Sequence, residues 1–179
     1  SYRAYLRISD GCNNRCTYCA IPLIRGNMHS VPMEQLLEEA ARLADGGVTE
    51  LTVIAQDTSC YGTDLYGKPM LTELLRRLSE IEKLHWIRVL YTYPDTVTPE
   101  LIETLRSDPK LISYLDMPLQ HINDDMLKAM NRRGDQAHVR RILEYVEQHA
   151  PEFMLRTTMM VGFPGETAEQ FSEMVSFLT

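Results

Sequence analysis

The sequence predicts an α/β fold with parallel strands and helices packed outside them. Two patterns carry that reading. Short apolar runs alternate five times with longer amphipathic stretches. A polar segment follows each apolar run, as loops do at the C-terminal ends of parallel strands. At 179 residues with 44% apolar side chains, one domain has material for a substantial core.

The first strand is expected at Ala4–Ile8, ending at Asp10-Gly11. A long loop follows and carries three cysteines. Pro32 suits the first turn of a helix, where its missing N–H would have no partner anyway. Leu36, Ala40, Leu43 and Ala44 recur at helical spacing, and Gly46-Gly47 ends that helix. Leu51–Ala55 is the second strand, and Leu71, Leu74, Leu75 and Leu78 mark the second helix. Trp86–Tyr91 reads as the third strand. Thr98-Pro99-Glu100 opens a helix whose apolar face is Leu101, Ile102 and Leu105. Ile112–Met117 is the fourth strand, followed by helical segments at 124–131 and 136–149. Phe153–Val161 is the fifth. Thr167-Ala168-Glu169-Gln170 fits a capping box for a last helix through Phe171, Met174 and Phe177.

Periodicity leaves open whether the sheet is a doubly wound layer or a barrel. In both, ligands sit beyond the strand C-termini. The segments starting at Asp10, Gln56, Thr92, Pro118 and Gly162 should therefore share one face. No repeat or linker divides the chain, so residues 1–179 read as one domain.

The formal net charge is −7, so no global basic character points to nucleic acid. No run is long and apolar enough to cross a bilayer, and Ser1–Tyr5 has no secretory pattern. A cytoplasmic location is expected. In a reducing compartment, clustered cysteines bind metal or do redox chemistry more often than they pair.

Cys12, Cys16 and Cys19 have the spacing C-x3-C-x2-C. Three thiolates on one loop can hold three irons of a cubane cluster and leave the fourth open to a small molecule. The alternative is a structural zinc, which takes four ligands; Cys60 or His29 would have to supply the last. Cys60 otherwise reads as incidental.

With Tyr18 before the third cysteine, this loop resembles the signature of the radical S-adenosylmethionine (SAM) superfamily. The resemblance implies a 4Fe-4S cluster on Cys12, Cys16 and Cys19, with SAM chelated to the open iron by its amine and carboxylate. Reduction of that assembly cleaves a carbon–sulfur bond and yields a 5′-deoxyadenosyl radical. The implied fold is a partial (β/α) barrel, truncated here before its sixth strand. Ile8–Asn13, Ile21-Pro22 with Arg25-Gly26, and Val161–Thr167 resemble the methylthiotransferases. Ala55–Ser59, Tyr61-Gly62, Tyr114–His121 and Leu155–Thr158 are closest to the branch that modifies an aspartate of a small-subunit ribosomal protein. The tRNA-modifying branch is the nearest alternative, and a non-catalytic metal-binding module is the alternative of another class. Full-length members add an N-terminal domain with a second cluster and a C-terminal TRAM domain. Without these the core is not expected to complete the reaction. Val31-Pro32 stands where the family pattern has Arg-Pro.

A SAM pocket needs hydrogen-bonding groups at the strand ends and an apolar wall. Candidates are Tyr18, Gln56, Asp57, Gln120, His121, Arg132, Arg156, Gly162 and Phe163. Each has a plainer reading. Gln56-Asp57 can form a turn, His121 can satisfy a neighbour, and Arg132 can be a solvated helix-end residue. Arg156, if inward, must pair with the SAM carboxylate or with Asp116. Gly162–Gly165 can bring backbone against a flat ring or serve only as a turn. Met126 and Met130 read as core.

Overall fold

The computed structural model describes residues 1–179. In chain order the elements are β1 (Arg3–Arg7), β2 (Ser9–Asp10), α1 (Ile21–Arg25), β3 (His29–Ser30) and α2 (Met33–Asp45). Then come β4 (Glu50–Ile54), α3 (Thr63–Tyr66), α4 (Leu71–Ser79), β5 (Trp86–Val89) and a 3-10 turn at Pro94–Thr96. α5 (Pro99–Ser107), β6 (Tyr114–Asp116), α6 (Asp124–Ala129), α7 (Gln136–His149), β7 (Met154–Arg156) and α8 (Ala168–Leu178) complete the chain.

All five expected strands form, as β1, β4, β5, β6 and β7, and every pairing among them is parallel. β1, β4 and β5 make one three-stranded sheet, with Leu6 opposite Val53 and Val53 opposite Val89. β6 and β7 make a second. A parallel bridge between Ile87 and Leu111, with Ile112 N–H on Ile87 O at 3.0 Å, carries the ladder across the gap. The lateral order follows the chain order without reversal. A doubly wound layer reverses at a switch point, so the winding is that of an open partial barrel.

β4 is the central strand. Leu51 and Val53 are fully shut from solvent, and even its polar Glu50 and Thr52 are buried. α2 turns Leu36, Ala40 and Ala44 inward, and α4 does the same with Leu71, Leu74, Leu75 and Leu78. These meet Leu6, Ile8, Ile87 and Leu105 in one continuous core. Met126 and Met130 are buried as well.

Several boundaries differ from the sequence reading. The third strand stops at Val89 rather than Tyr91, because Tyr91 takes a left-handed backbone with φ of 62°. The fifth is cut to Met154–Arg156, after which one bridge joins Met159 to Gln120. β7 pairs only with β6, all three of its residues are exposed, and no second ladder extends it. Pro32 caps α2 instead of starting it. The antiparallel pair β2–β3 and the short helices α1 and α3 were not expected; two to five residues hold no readable period. The capping box does form: Thr167 Oγ1 accepts from Gln170 N–H at 3.3 Å, and Gln170 Oε1 from Thr167 N–H at 2.9 Å.

Candidate functional site

β1 passes directly into the loop that holds Cys12, Cys16 and Cys19. Gly11 opens that loop with φ of 75°, and a Cβ there would lie 2.2 Å from Asn27 O, so only glycine fits the crossing. The β2–β3 pairing then returns the chain, with Asp10 opposite His29. The loop is thereby fixed above the C-terminal ends of the strands.

The three cysteines line one cavity of about 430 Å³. Tyr18 comes from the same loop and Ile21 from the start of α1, Ala55 and Gln56 follow β4, Tyr91, Thr92 and Tyr93 follow β5, and Pro118 and Gln120 follow β6. Arg132 reaches in from the turn after α6. Four of the expected contacts therefore converge: Tyr18, Gln56, Gln120 and Arg132. Tyr91 and Gln120 line the cavity with left-handed backbones, φ 62° and 70°. Such conformations in non-glycine residues collect at functional sites.

Arg132 is the most constrained cation here. Its guanidinium donates to Pro118 O at 2.6 Å and to Tyr18 Oη at 3.2 Å, and it lies 4.2 Å from the Tyr93 ring centroid. These contacts leave N–H donors of its fork for a carboxylate in the cavity. Burial raises the Tyr18 and Tyr93 phenols despite Arg132, so both stay protonated. Burial also pushes the Cys12 thiol up. The Asn14 N–H, 3.4 Å from Cys12 Sγ, pulls the other way, and Asp57 adds to the rise.

No three His, Cys, Asp or Glu side chains converge on a single-ion site. A lone zinc would draw sulfurs to about 2.3 Å from one point. A cubane takes each thiolate on a different iron, so its ligands stand further apart. Three half-buried thiols line one cavity, a donor set that fits a cubane with one open iron.

The remaining expected contacts lie elsewhere. Asp57 is 4% exposed and turned behind the loop, where it accepts from Asn14 Nδ2 at 2.7 Å, Ser59 Oγ at 2.6 Å and Cys60 Sγ at 3.3 Å. His121 is fully buried, between Glu166 and the Asn123 N–H. Arg156 pairs with Asp116 at 2.8 Å. Gly162 is exposed outside the cavity, and its N–H is taken by Glu166 Oε2. Phe163 stops at the rim, edge-on to Tyr18 with centroids 6.4 Å apart. The sequence placed the segment from Thr92 on this face but did not single out Asn14, Ile21 or the flanking Tyr91 and Tyr93 of that run. The place of that run after the third strand was the available signal.

The sequence profile of the radical SAM superfamily matches residues 6–178. The ribosomal protein uS12 methylthiotransferase RimO of Alkaliphilus oremlandii is 50% identical over 178 residues, which are 99% of this chain and 41% of that protein. RimO of Elusimicrobium minutum is 48% identical, over 99% of this chain and 41% of its own length. This chain thus spans about two fifths of these curated relatives. Among solved structures, the radical SAM methyltransferase TsrM from Kitasatospora setae aligns with a TM-score of 0.75 at 15% identity, covering 98% of this chain and 34% of that one. Coproporphyrinogen III oxidase (HemN) from Escherichia coli aligns at 0.67 and 17%, covering 97% and 40%. At these identities the likeness is one of fold.

Proposed function

The chain belongs to the radical SAM superfamily, and we propose that it is the SAM-cleaving core of a methylthiotransferase that modifies an aspartate of ribosomal protein uS12. The observation that carries the proposal is the convergence of Cys12, Cys16 and Cys19 with polar groups from three strand ends in one cavity. Near-50% identity to RimO proteins supports the substrate class. Because the match covers 41% of those proteins, methylthio transfer itself is assigned to the longer protein and SAM cleavage to this core.

In this reading the three thiolates hold a 4Fe-4S cluster. When bound, cluster and SAM supply one-electron cleavage of a carbon–sulfur bond. The chain's own residues bind and orient. Arg132, braced by Tyr18, Pro118 and Tyr93, offers its free donors to the methionyl carboxylate. Gln56 and Gln120 line the same cavity and would offer amides to the amine and ribose. Phe163, edge-on to Tyr18 at the rim, stands beside the cavity mouth rather than within it. Asp57, His121 and Arg156 act from behind the cavity, each engaged with protein partners. No helix is long and apolar enough to cross a membrane, and a ribosomal substrate would agree with a cytoplasmic location.

The test is anaerobic cluster reconstitution followed by reduction with SAM present, reading iron content and 5′-deoxyadenosine by mass spectrometry. 5′-Deoxyadenosine that disappears in Cys16→Ala supports the core assignment. Absence of iron uptake would remove it.

A further inference from the structure

Asn14 sits in the middle of the Cys12–Cys16 loop, and its amide is held from two sides. Its Nδ2 donates to Asp57 Oδ2 at 2.7 Å, and its Oδ1 accepts from the Arg133 guanidinium. A carboxylate can only accept and a guanidinium can only donate, so the amide has one allowed orientation. Both anchors are themselves fixed. Asp57 is buried and held by Ser59 and Cys60, while Arg133 is paired with Asp95 at 3.3 Å and its N–H rests on Tyr93 Oη at 3.2 Å.

The clamp extends along the loop. Arg15 O accepts from Asn131 Nδ2 at 2.8 Å. Thr17 donates its N–H to Met130 O and its hydroxyl to Ala129 O, both at 3.1 Å. Tyr18 Oη meets Arg132. Residues 14 to 18 are thus tied almost residue by residue to residues 129 to 133, across more than a hundred positions of sequence. Arg15 and Asn131 take left-handed backbones, φ 21° and 51°, to make this fit.

We infer that Asn14 is the positioning residue of the cysteine loop: bridged between Asp57 and Arg133, it keeps its own N–H on Cys12 Sγ and so sets the geometry and hydrogen bonding of that thiolate in the cluster. The inference rests on the cluster reading of Cys12, Cys16 and Cys19. Cluster potential depends on hydrogen bonds to sulfur, so the bridge acts on the cluster through Cys12.

The experiment compares Asn14→Ala, Asn14→Asp and the double variant Asn14→Asp with Asp57→Asn in reconstituted protein. Asn14→Asp sets two carboxylates face to face, whereas the double variant restores a donor–acceptor pair with its sense reversed. Iron release to a chelator should be about tenfold faster in Asn14→Asp and return to near wild type in the double variant. In Asn14→Ala the cluster potential should move to a more negative value. In the metal-free chain, alkylation of Cys12 should quicken in both single variants. Wild-type release from Asn14→Asp, or additive effects in the double variant, would overturn the inference while leaving the cluster reading intact. A wild-type protein that takes up no iron would overturn both.

Discussion

His121 Nε2 lies 3.0 Å from Glu166 Oε1, and both side chains are shut from solvent. The other ring nitrogen, Nδ1, accepts from the Asn123 N–H at 3.0 Å. A nitrogen that accepts cannot also carry a proton, so the ring is the neutral tautomer with its hydrogen on Nε2. It therefore donates to Glu166, whose second oxygen takes the Gly162 N–H. One buried contact joins the loop after β6 to the turn before α8, and so sets where Gly162 and Phe163 stand beside the cavity.

That pair makes stability depend on acid. Burial alone would raise the Glu166 carboxyl, but the hydrogen bonds from His121 and Gly162 outweigh it and hold the group below its usual value of 4.5. A depressed folded value gives stability that is present above the unfolded carboxyl range and is lost as pH falls through the folded one. Denaturant midpoints followed from pH 7 to pH 3 should decline for the wild type. Glu166→Ala should lower stability by about 1–3 kcal/mol at neutral pH, since it leaves the His121 donor buried without a partner. It should also flatten the acid limb. An unchanged limb would show that Glu166 does not titrate with folding.

The fourth cysteine separates from the other three. Cys60 lies in a second cavity of about 300 Å³ behind the loop, with its S–H toward Asp57, and burial together with that carboxylate pushes its thiol up to about 12. A thiol held protonated makes a poor iron ligand. Cys60→Ala should take up the wild-type amount of iron, whereas Cys12→Ala, Cys16→Ala and Cys19→Ala should each lose most of it. Iron and sulfide analysis after reconstitution reads the difference, and a Cys60→Ala protein short of iron would count against the assignment.

Much of this was legible in the sequence because it is local or periodic. The apolar repeats of α2 and α4, the five strands, the capping box at Thr167 and the cysteine spacing all follow from a few neighbouring residues. What the sequence hid is pairing across long separations. Nothing near Arg156 says whether it meets a ligand or Asp116, and only the parallel register of β6 with β7 brings the two carboxylate and guanidinium groups to 2.8 Å. Nothing near His121 points to Glu166, which lies 45 residues away. Asp57 follows β4 as Gln56 does, but alternate residues leave a strand end on opposite sides, so one enters the cavity and the other goes behind the cysteine loop.

Arg132 gives a prediction about charge and shape together. A lysine keeps the charge but has neither the planar fork nor the stacking surface that Tyr93 uses at 4.2 Å. Arg132→Lys should therefore weaken SAM binding by about tenfold, and Arg132→Ala by more, with the cluster retained in both. Calorimetric titration of SAM into the reconstituted variants measures this. Wild-type affinity in Arg132→Ala would remove the residue from the binding wall and leave it as a brace for Tyr18.

Gly11 gives the sharpest steric prediction, because it tests the crossing on which the cavity depends. Its φ of 75° strains any other residue, and the added Cβ of an alanine would fall 2.2 Å from Asn27 O and 2.7 Å from Asn27 C. Both are backbone atoms, so no rotamer change relieves the contact. Either the β2–β3 pairing parts, or the peptide ahead of Cys12 turns away. In both cases the Cys12 N–H, now 3.2 Å from Gly26 O, loses its partner and the first thiol leaves its place beside Cys16 and Cys19. Gly11→Ala should cost about 2 kcal/mol or more in thermal or denaturant unfolding. It should also lose iron uptake out of proportion to that cost. Gly67, also left-handed at φ 71° but with open space around its Cβ direction, is the control: Gly67→Ala carries the backbone strain without the clash and should keep its iron. Equal iron loss in the two variants would mean that strain alone, and not the packing of Asn27 against Gly11, governs the loop.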